Sequence, residues 1–279
     1  MENTSLKDKD VWKPHPGAQE AFHKASAFEI GYGGAAGGGK TESLFREALR
    51  QIHKPSYTAI LFRRTYPELE LSLIDRAYKL YHKHGGTPKN AGRMWIFKTK
   101  EPHKPSKIIF SHLEHDEDVH KYQSAEFDVV GFDEATSFTE YQYVYMRSRV
   151  RGTNPGVQRY VMLGTNPGNI GHTWFKKRFI DGKEPYKKYY FKVRNGEEVQ
   201  CLSTDEEALS RVFIPARVWD NPTLLKNDPG YVNRLKSLDD KTKRMLLDGD
   251  WDVFEGQYFS EFSYSRHVVE PFKIPEYWK

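Results

Sequence analysis

The most informative segment of the sequence is Gly34-Ala35-Ala36-Gly37-Gly38-Gly39-Lys40-Thr41. It fits the phosphate-binding pattern G-x-x-x-x-G-K-[ST] at every fixed position. Because six of the nine residues at 31–39 are glycine, the backbone can adopt positive φ angles and bring several N–H groups close to an anion. An apolar stretch at 28–32 predicts a strand before this segment, and 41–52 has the composition of a helix after it. The segment, here called the phosphate loop, therefore predicts a triphosphate site between a strand and a helix.

Two side chains of the phosphate loop have distinct expected roles. The Lys40 amine is expected to reach the β- and γ-phosphates of ATP, and the Thr41 hydroxyl is expected to ligate Mg²⁺. The dipole of the following helix also favours the phosphates at its N-terminus. The cradle of backbone N–H groups is expected to come from Gly34, Ala35, Ala36, Gly37, Gly38 and Gly39.

The composition indicates a soluble globular protein. Hydrophobic residues make up 38% and charged residues 29% of the 279 residues, which is enough apolar content for a substantial core. The single cysteine, Cys201, excludes an internal disulfide and a zinc site of several cysteines, and it is compatible with a reducing compartment. Residues 1–17 lack the apolar core of a signal peptide, and no stretch approaches membrane-spanning length. We therefore expect a cytoplasmic protein with no membrane partner.

Strand and helix patterns alternate along much of the chain. Helical spacing extends over 69–84. Apolar stretches predict strands at 57–62, 94–97, 107–113, 127–132 and 160–163. This order is typical of an α/β fold with a mostly parallel central sheet flanked by helices.

The character of the sequence changes beyond residue 215. Asn-Pro and Asp-Pro-Gly turn signals precede a charged segment, 231–247, that predicts a helix. We therefore place a subdomain boundary near Ala216. The predicted division is a P-loop ATPase core at 1–215, a small helical linker or lid at 216–255, and the start of a further domain or an extension at 256–279.

The strand pattern at 127–132 leads directly into Asp133 and Glu134. ATP hydrolysis needs a second Mg²⁺ anchor and a group that orients or deprotonates water. The strand would deliver Asp133 to the carboxyl end of the sheet beside the phosphate loop, where its carboxylate can hold a magnesium-bound water. Glu134 points in a different direction, so we expect it to polarise the attacking water.

The sequence Gly-Thr-Asn-Pro-Gly occurs twice, at 152–156 and at 164–168. Asn-Pro and the flanking glycines predict a turn in both copies. Only the second copy follows an apolar strand directly, so only it is expected at the edge of the sheet where open α/β folds bind ligands. Asn166, beside Thr165, is therefore a candidate contact for the γ-phosphate or the water. The first copy is interpreted as a connecting turn.

Residues 171–194 combine cations with aromatic side chains. Eight Lys or Arg and two acids give this segment a charge of +6, compared with a net +5 for the whole chain. Interleaved cations and aromatics suit a polyanion with flat bases, so nucleic acid is a candidate partner. The same pattern also fits a solvated charged face whose aromatic side chains turn into the core.

Three segments occur in a distinctive order: the glycine-rich loop ending in Lys40-Thr41, then Phe132-Asp133-Glu134-Ala135-Thr136, then Leu163-Gly164-Thr165-Asn166-Pro167. Together they resemble the phosphate loop, the acidic strand motif and the coupling motif of the large terminase subunit of tailed double-stranded DNA bacteriophages. Two further segments are similar, His15-Pro16-Gly17-Ala18-Gln19-Glu20-Ala21-Phe22 and Gly249-Asp250-Trp251. The resemblance covers about residues 11–260. It implies an ATP-hydrolysing motor, with an additional-strand catalytic-glutamate P-loop fold, that drives viral DNA into a preformed capsid.

The resemblance also implies roles for individual residues. It makes Gln19 a candidate contact for adenine, Asp133 the metal anchor and Glu134 the catalytic carboxylate, beside Lys40 and Thr41 at the phosphates and Mg²⁺. A basic residue, often from a neighbouring subunit of a ring, is expected to stabilise the transferring phosphoryl group. The candidates are Lys121, which lacks the planar fork of arginine, and Arg147, Arg149 and Arg151.

Partners and location follow from the same resemblance. It implies double-stranded DNA, the small terminase subunit, a ring of copies on the capsid portal, and the host cell cytoplasm. Full-length members resemble two-part machines with a C-terminal nuclease, and we expect nuclease activity to be absent because the sequence ends soon after 258–262, which resembles the junction. Two other functions stay open: a helicase or repair-type P-loop ATPase on nucleic acid, and a nucleotide switch that does not hydrolyse ATP.

Overall fold

The computed structural model describes residues 12–253 and Val268. Within them, the central element is one sheet whose strands are numbered here along the chain. They are β1 (Glu29–Gly34), β2 (Thr58–Arg63), β3 (Thr87–Lys89), β4 (Met94–Phe97), β5 (Ser106–His112), β6 (Val129–Asp133), β7 (Tyr160–Thr165), β8 (Tyr189–Arg194), β9 (Glu197–Gln200) and β10 (Leu209–Ala216). Their order across the sheet is β3-β4-β5-β2-β6-β7-β1-β10-β8-β9.

The centre of the sheet is parallel and its edges are antiparallel. All neighbouring pairs from β5 across to β10 run parallel. The hairpins β3-β4 and β8-β9 extend the two edges with antiparallel pairs. One strand, β7, separates β1 from β6, so an additional strand lies between the strand before the phosphate loop and the strand that ends at Asp133. The predicted mostly parallel, additional-strand α/β fold is confirmed.

Helices cover both faces of the sheet. The α-helices are α1 (Ala18–Lys24), α2 (Lys40–Ala48), α3 (Tyr66–Glu68), α4 (Asp75–Leu80), α5 (Glu140–Arg147), α6 (His172–Phe179), α7 (Pro222–Asn227), α8 (Tyr231–Lys236) and α9 (Asp240–Lys243). Turns of 3₁₀- or π-helix lie at Leu69–Ile74, Tyr81–His84, Asp116–Tyr122, Ala135–Ser137, Val218–Asp220 and Arg244–Asp248. Among the residues described, no helix is both long and apolar enough to span a bilayer.

The helix predicted over 231–247 is wrong as a single element. The chain leaves α8 at Ser237, and Asp239 then caps a new helix, α9, by accepting a hydrogen bond from the Thr242 N–H. Asp competes well for such cap positions because its carboxylate satisfies a backbone N–H that has no partner inside the helix. A local cap therefore overrides the continuous charge pattern.

The core lies on both faces of the sheet because alternate residues of a strand point in opposite directions. On β2, Ala59 and Leu61 pack on the side of α2, whereas Ile60 and Phe62 pack on the side of α5 and α6. A strand buried on both faces needs apolar residues throughout. This explains why the central strands were visible in the sequence as continuous apolar stretches.

The segment after β10 packs against the phosphate loop. A Cβ at Gly37 would lie 2.8 Å from the Tyr231 ring and 2.9 Å from the Leu224 side chain. The Ala36 N–H donates to the Leu246 carbonyl oxygen at 2.6 Å. The sheet ends at Ala216, where we placed the subdomain boundary, and the division itself stays a prediction. Residues 256–267, including the junction-like segment at 258–262, lie outside the described residues.

Candidate nucleotide-binding site

The phosphate loop leaves β1 at the carboxyl edge of the sheet. Gly37 and Gly39 both have a φ of 77°, the left-handed region that favours glycine. The Tyr32 hydroxyl donates to the Gly38 carbonyl oxygen at 3.0 Å, and the Asn221 side-chain amide donates to the Gly37 carbonyl oxygen at 2.8 Å. The glycines thus allow the turn, and these two bonds hold two of its carbonyl groups in place.

A cavity of about 890 Å³ lies beside the phosphate loop, a size typical of small-molecule sites. Segments far apart in the sequence contribute to its walls. Its lining includes Gln19 before the loop, Ala36, Gly37, Gly38, Gly39, Lys40 and Thr41 of the loop, Glu134 after β6, Asn166 after β7, and Asn221, Thr223, Leu224, Asn227 and Tyr231 after β10. The structure therefore brings most of the predicted site residues to one cavity.

The first residues of the phosphate loop are bonded within the protein. The Ala35 N–H donates to the Ala216 carbonyl oxygen at 2.8 Å, as the Ala36 N–H does to Leu246. Gly34 and Ala35 do not appear among the described residues that line the cavity. Their direct contact with phosphate stays a prediction, and the part of the loop that lines the cavity is 36–41.

Asp133 meets Thr41 across the additional strand. The Thr41 hydroxyl lies 3.0 Å and 3.1 Å from the two carboxylate oxygens of Asp133, whose residue is only 1% exposed. A hydroxyl and a carboxylate are hard oxygen ligands, which Mg²⁺ prefers. In the part of the chain that the structure describes, no group of three or more His, Cys, Asp or Glu could hold a metal. The donor set fits a cation that is shared with the phosphates of a substrate.

Arg63 joins this site although we did not predict a role for it. Its guanidinium lies 2.7 Å from the Asp133 carboxylate and 3.9 Å from the Glu134 carboxylate. The cause is strand register, because Phe62 pairs with Phe132 and the next residues of these parallel strands therefore lie side by side. The signal in the sequence was an arginine directly after an apolar strand. The contact of this arginine with Asp133 could not be predicted, because the sequence does not show that β2 and β6 are neighbours.

Lys40 and Glu134 both line the cavity, and the charge of each affects the pKa of the other. Burial lowers the pKa of the Lys40 amine, and the Glu134 and Asp133 carboxylates oppose this shift. Burial also raises the pKa of the Glu134 carboxyl, and the Asp133 charge adds to the rise, against Lys40 and Arg63. The Lys40 amine donates to the Ala35 carbonyl oxygen at 2.5 Å. A carboxylate with a raised pKa accepts a proton more readily, which is the property that a general base requires.

The backbone at Glu134 is strained. Its φ of 59° and ψ of 55° place it in the left-handed region, which non-glycine residues rarely adopt. Such strain costs about 1–3 kcal/mol and persists where surrounding structure enforces it. The turn begins directly after Asp133, which contacts Thr41, whereas Glu134 itself lines the cavity.

Asn166 is connected to the acidic motif through Thr136. The Thr136 hydroxyl lies 2.8 Å from the Thr165 hydroxyl and donates to the Asn166 carbonyl oxygen at 3.1 Å. The Asn166 side-chain oxygen is buried and makes no hydrogen bond with the described protein. Buried polar atoms normally have partners. An acceptor without one, in the wall of this cavity, is suited to a water or ligand donor.

Gln19 lies beside the phosphate loop and is 4% exposed. Its side-chain oxygen accepts from the His15 N–H at 2.7 Å, and its amide nitrogen donates to the Ser43 hydroxyl at 3.0 Å. These bonds tie α1 to α2 next to Gly39, whose Cβ would lie 3.2 Å from the Gln19 nitrogen. The contact with adenine stays a prediction.

The four candidates for a trans-acting cation lie away from the cavity lining of the described chain. Lys121 pairs with Asp118 at 2.7 Å, and the Arg149 guanidinium donates to the Gln123 carbonyl oxygen at 2.6 Å. Arg151 pairs with Glu126 at 3.5 Å, and Arg147 lies 2.8 Å from buried Glu29. None of them serves the cavity of its own chain, so a role for Lys121 or Arg149 requires a second copy and stays a prediction.

The aromatic side chains of α6, within 171–194, are not available to stack on nucleic-acid bases, and a nucleic-acid contact by the rest of the segment stays a prediction. Trp174, Phe175 and Phe179 are buried in the core. Arg178 is also buried, and its guanidinium pairs with Glu29 at 2.7 Å. Within 172–179, the alternation of cations and aromatics reflects a helix, α6, that packs one face on the sheet. The alternative interpretation, aromatics turned into the core, is correct for this helix.

The class of the protein follows from the sheet order and the phosphate loop: it is a P-loop NTPase with an additional strand between its two nucleotide-site strands. Residues 32–266 match a family model described as the terminase large subunit, T4likevirus-type, N-terminal. The chain belongs to this family. A search of curated proteins gave no match.

Solved structures show the same fold. The large terminase of a thermophilic bacteriophage, in complex with ADP, is 17% identical with a TM-score of 0.61, and the match covers 92% of this chain and 58% of that chain. A second crystal form of the same large terminase is 14% identical with a TM-score of 0.61, covering 86% and 54%. The large terminase ATPase domain of Thermus phage P74-26 is 15% identical with a TM-score of 0.53, covering 86% and 94%. The matched region thus spans little more than half the length of the first of these terminases.

Proposed function

We propose that the protein hydrolyses ATP as a subunit of a motor that translocates double-stranded DNA into a procapsid. The observation that supports this most directly is the meeting of Thr41 with Asp133 at 3.0 Å beside the cavity lined by Lys40 and Glu134. Membership of the terminase large-subunit family supports the link to DNA packaging. The large terminase of the thermophilic bacteriophage has been solved with ADP and with ATP-γ-S, which supports an adenine nucleotide as the occupant.

The proposed chemistry assigns one task to each side chain. The Lys40 amine binds the phosphates, and Glu134 accepts a proton from the attacking water. Asn166 orients that water through its unpartnered side-chain oxygen. Thr41 and Asp133 would hold Mg²⁺, which neutralises phosphate charge when bound. Arg63 pairs with the Asp133 carboxylate at 2.7 Å and positions it beside Thr41.

The assembly belongs to the same proposal. A ring of copies on the capsid portal would allow Lys121 or Arg149 of one copy to reach the nucleotide of the next. A charge donated in this way can raise the hydrolysis rate by about 10³ to 10⁵. The proposed partners are double-stranded DNA and the small terminase subunit, and the proposed location is the host cell cytoplasm.

The rate of ATP hydrolysis against protein concentration, with and without double-stranded DNA, tests the proposal. We expect a low rate per subunit in dilute solution that rises with concentration and with DNA. The Lys40→Ala variant serves as control, because it should bind and hydrolyse little ATP under any condition. A rate per subunit that is independent of both would contradict a ring motor, and ATP binding without any turnover would favour a nucleotide switch.

A further inference from the structure

The edge of the sheet formed by β3, β4 and β5 carries a second concentration of positive charge. Residues 79–107 contain eight Lys or Arg and one acid, a net charge of +7, which exceeds that of 171–194. We call this surface the basic edge. Its eight cations are all exposed: Lys79, Lys83, Lys89, Arg93, Lys98, Lys100, Lys104 and Lys107.

The cations of the basic edge are largely unpaired. Within residues 12–253, Lys104 is the only one of the eight in an ion pair, at 2.7 Å from Glu101. The segment 171–194 differs, since carboxylates lie within 4 Å of Lys176, Arg178, Lys187 and Lys192. A cation already neutralised by a carboxylate gains little from a phosphate. Unpaired exposed cations can instead replace the counter-ions condensed on a polyanion, which favours binding.

The basic edge also presents an open face of the sheet. Trp95 and Ile108 turn into the core, whereas Ile96 is half-buried and Lys107 exposed on the other face. These last two residues lie side by side in the β4-β5 ladder. Lys98 follows β4 directly, at the same end of the sheet as Lys107. Lys98 and Lys107 therefore lie at the same end of a three-strand surface about 10 Å across, given strands spaced about 4.8 Å apart. Lys79 and Lys83 extend the charge from α4 and the 3₁₀ turn after it, which pack on the opposite face.

We propose that the basic edge binds the phosphate backbone of double-stranded DNA without reading its sequence. This rests on the proposed function and names the surface of the chain that DNA would contact. Seven of the eight cations are lysines, which contact phosphate as point charges rather than as planar forks that read bases. The β4 aromatics, Trp95 and Phe97, are buried, so they offer no platform on which single-stranded bases could stack. Both features favour the duplex.

The test compares two triple variants of equal charge change. Lys98, Lys100 and Lys107 are replaced by Gln in the first, and Lys183, Lys187 and Lys188 of 171–194 in the second, which is the control. Binding of a duplex of about 30 base pairs is measured by fluorescence anisotropy between about 50 and 300 mM salt. We expect the first variant to lose about tenfold or more in affinity and about three units in the slope of log K against log salt, since each phosphate contact contributes about 0.9. The control should keep both.

Several outcomes would overturn the proposal. Equal losses in both variants would mean that only net charge matters, and an unchanged first variant would mean that the lysines merely protect a sheet edge from aggregation. Stronger competition by polyglutamate or by anionic vesicles than by duplex DNA would identify a different partner. The hydrolysis rate without DNA, measured on the same samples, separates these failures from failure of the proposed ATPase. We expect it to be unchanged in both variants.

Discussion

Glu29 is a buried charge whose removal should destabilise the fold strongly. It is 1% exposed and lies at the start of β1, the strand that leads into the phosphate loop. Its carboxylate lies 2.7 Å from Arg178, 2.8 Å from Arg147 and 3.2 Å from Arg211, and it accepts a hydrogen bond from the Tyr143 hydroxyl. The sheet, α5 and α6 are joined through this one group.

We expect Glu29→Gln to lower the free energy of unfolding by about 3–5 kcal/mol. Gln keeps the shape of the side chain but leaves Glu198 as the one carboxylate, in the described part of the chain, that pairs with the three guanidinium groups. Removing one partner of a buried ion pair typically costs about 3–5 kcal/mol. Urea unfolding followed by fluorescence measures the change. With a slope of about 3 kcal/mol per molar urea, the midpoint should fall by about 1–1.7 M. The control Glu20→Gln removes an exposed pair with Lys24 and should cost less than about 1 kcal/mol. A loss below about 1 kcal/mol for Glu29→Gln would refute the reasoning.

The pH dependence of stability gives an independent check on the same group. Burial raises the pKa of the Glu29 carboxyl, but Arg211, Arg178 and Arg147 outweigh burial and hold the pKa well below its ordinary value. A carboxyl with a lowered folded-state pKa stabilises the fold above its unfolded pKa of about 4.3 and loses that contribution as the pH falls. Wild type should therefore lose stability below about pH 4.5 more steeply than Glu29→Gln. Parallel curves would show that the carboxyl is not ionised in the folded protein.

Three further substitutions test the nucleotide site itself. Gly33→Ala would place a Cβ 2.3 Å from the Thr165 carbonyl oxygen and push β1 away from β7. We therefore expect either no soluble protein or a free energy of unfolding lowered by about 3 kcal/mol, and a melting curve like that of wild type would contradict this. Thr41→Val removes an oxygen ligand, so in calorimetry it should weaken ATP binding about tenfold in the presence of Mg²⁺ but not in the presence of EDTA. An equal loss of affinity under both conditions would argue against Thr41 as a metal ligand. Arg63→Met should lower the free energy of unfolding by about 2–4 kcal/mol, because buried Asp133 loses its ion-pair partner, and Arg63→Lys should lose less. No loss in Arg63→Met would mean that this ion pair does not stabilise the fold.

The nucleotide site was largely predictable because its chemistry resides in short, contiguous motifs. The phosphate loop and the Asp133-Glu134 pair can each be recognised from their residue types and from the apolar strand that precedes them. Sheet order could not be read in this way. β10 inserts beside β1, and the hairpin β8-β9 forms an edge. Each offers only a short apolar stretch, 212–214 in β10 and 189–191 in β8.

Charge was the least predictable feature, because its effect depends on long-range pairing. Arg178 was part of a basic segment in the sequence but is buried against Glu29, 149 residues earlier. The basic edge has the larger net charge, +7 over 79–107, and within residues 12–253 Lys104 alone among its cations is in an ion pair. A count of cations along the chain cannot tell a neutralised charge from a free one.

The most direct test of the assignment is to measure the ATP hydrolysis rate and the ATP dissociation constant of Glu134→Gln beside wild type. Gln preserves the size of the side chain and the strained backbone but cannot accept the proton of water. We expect the rate to fall by about 10² to 10⁴ while the dissociation constant changes by less than about threefold. An unchanged rate, or a loss of binding equal to the loss of rate, would contradict the role of Glu134 as the group that activates water.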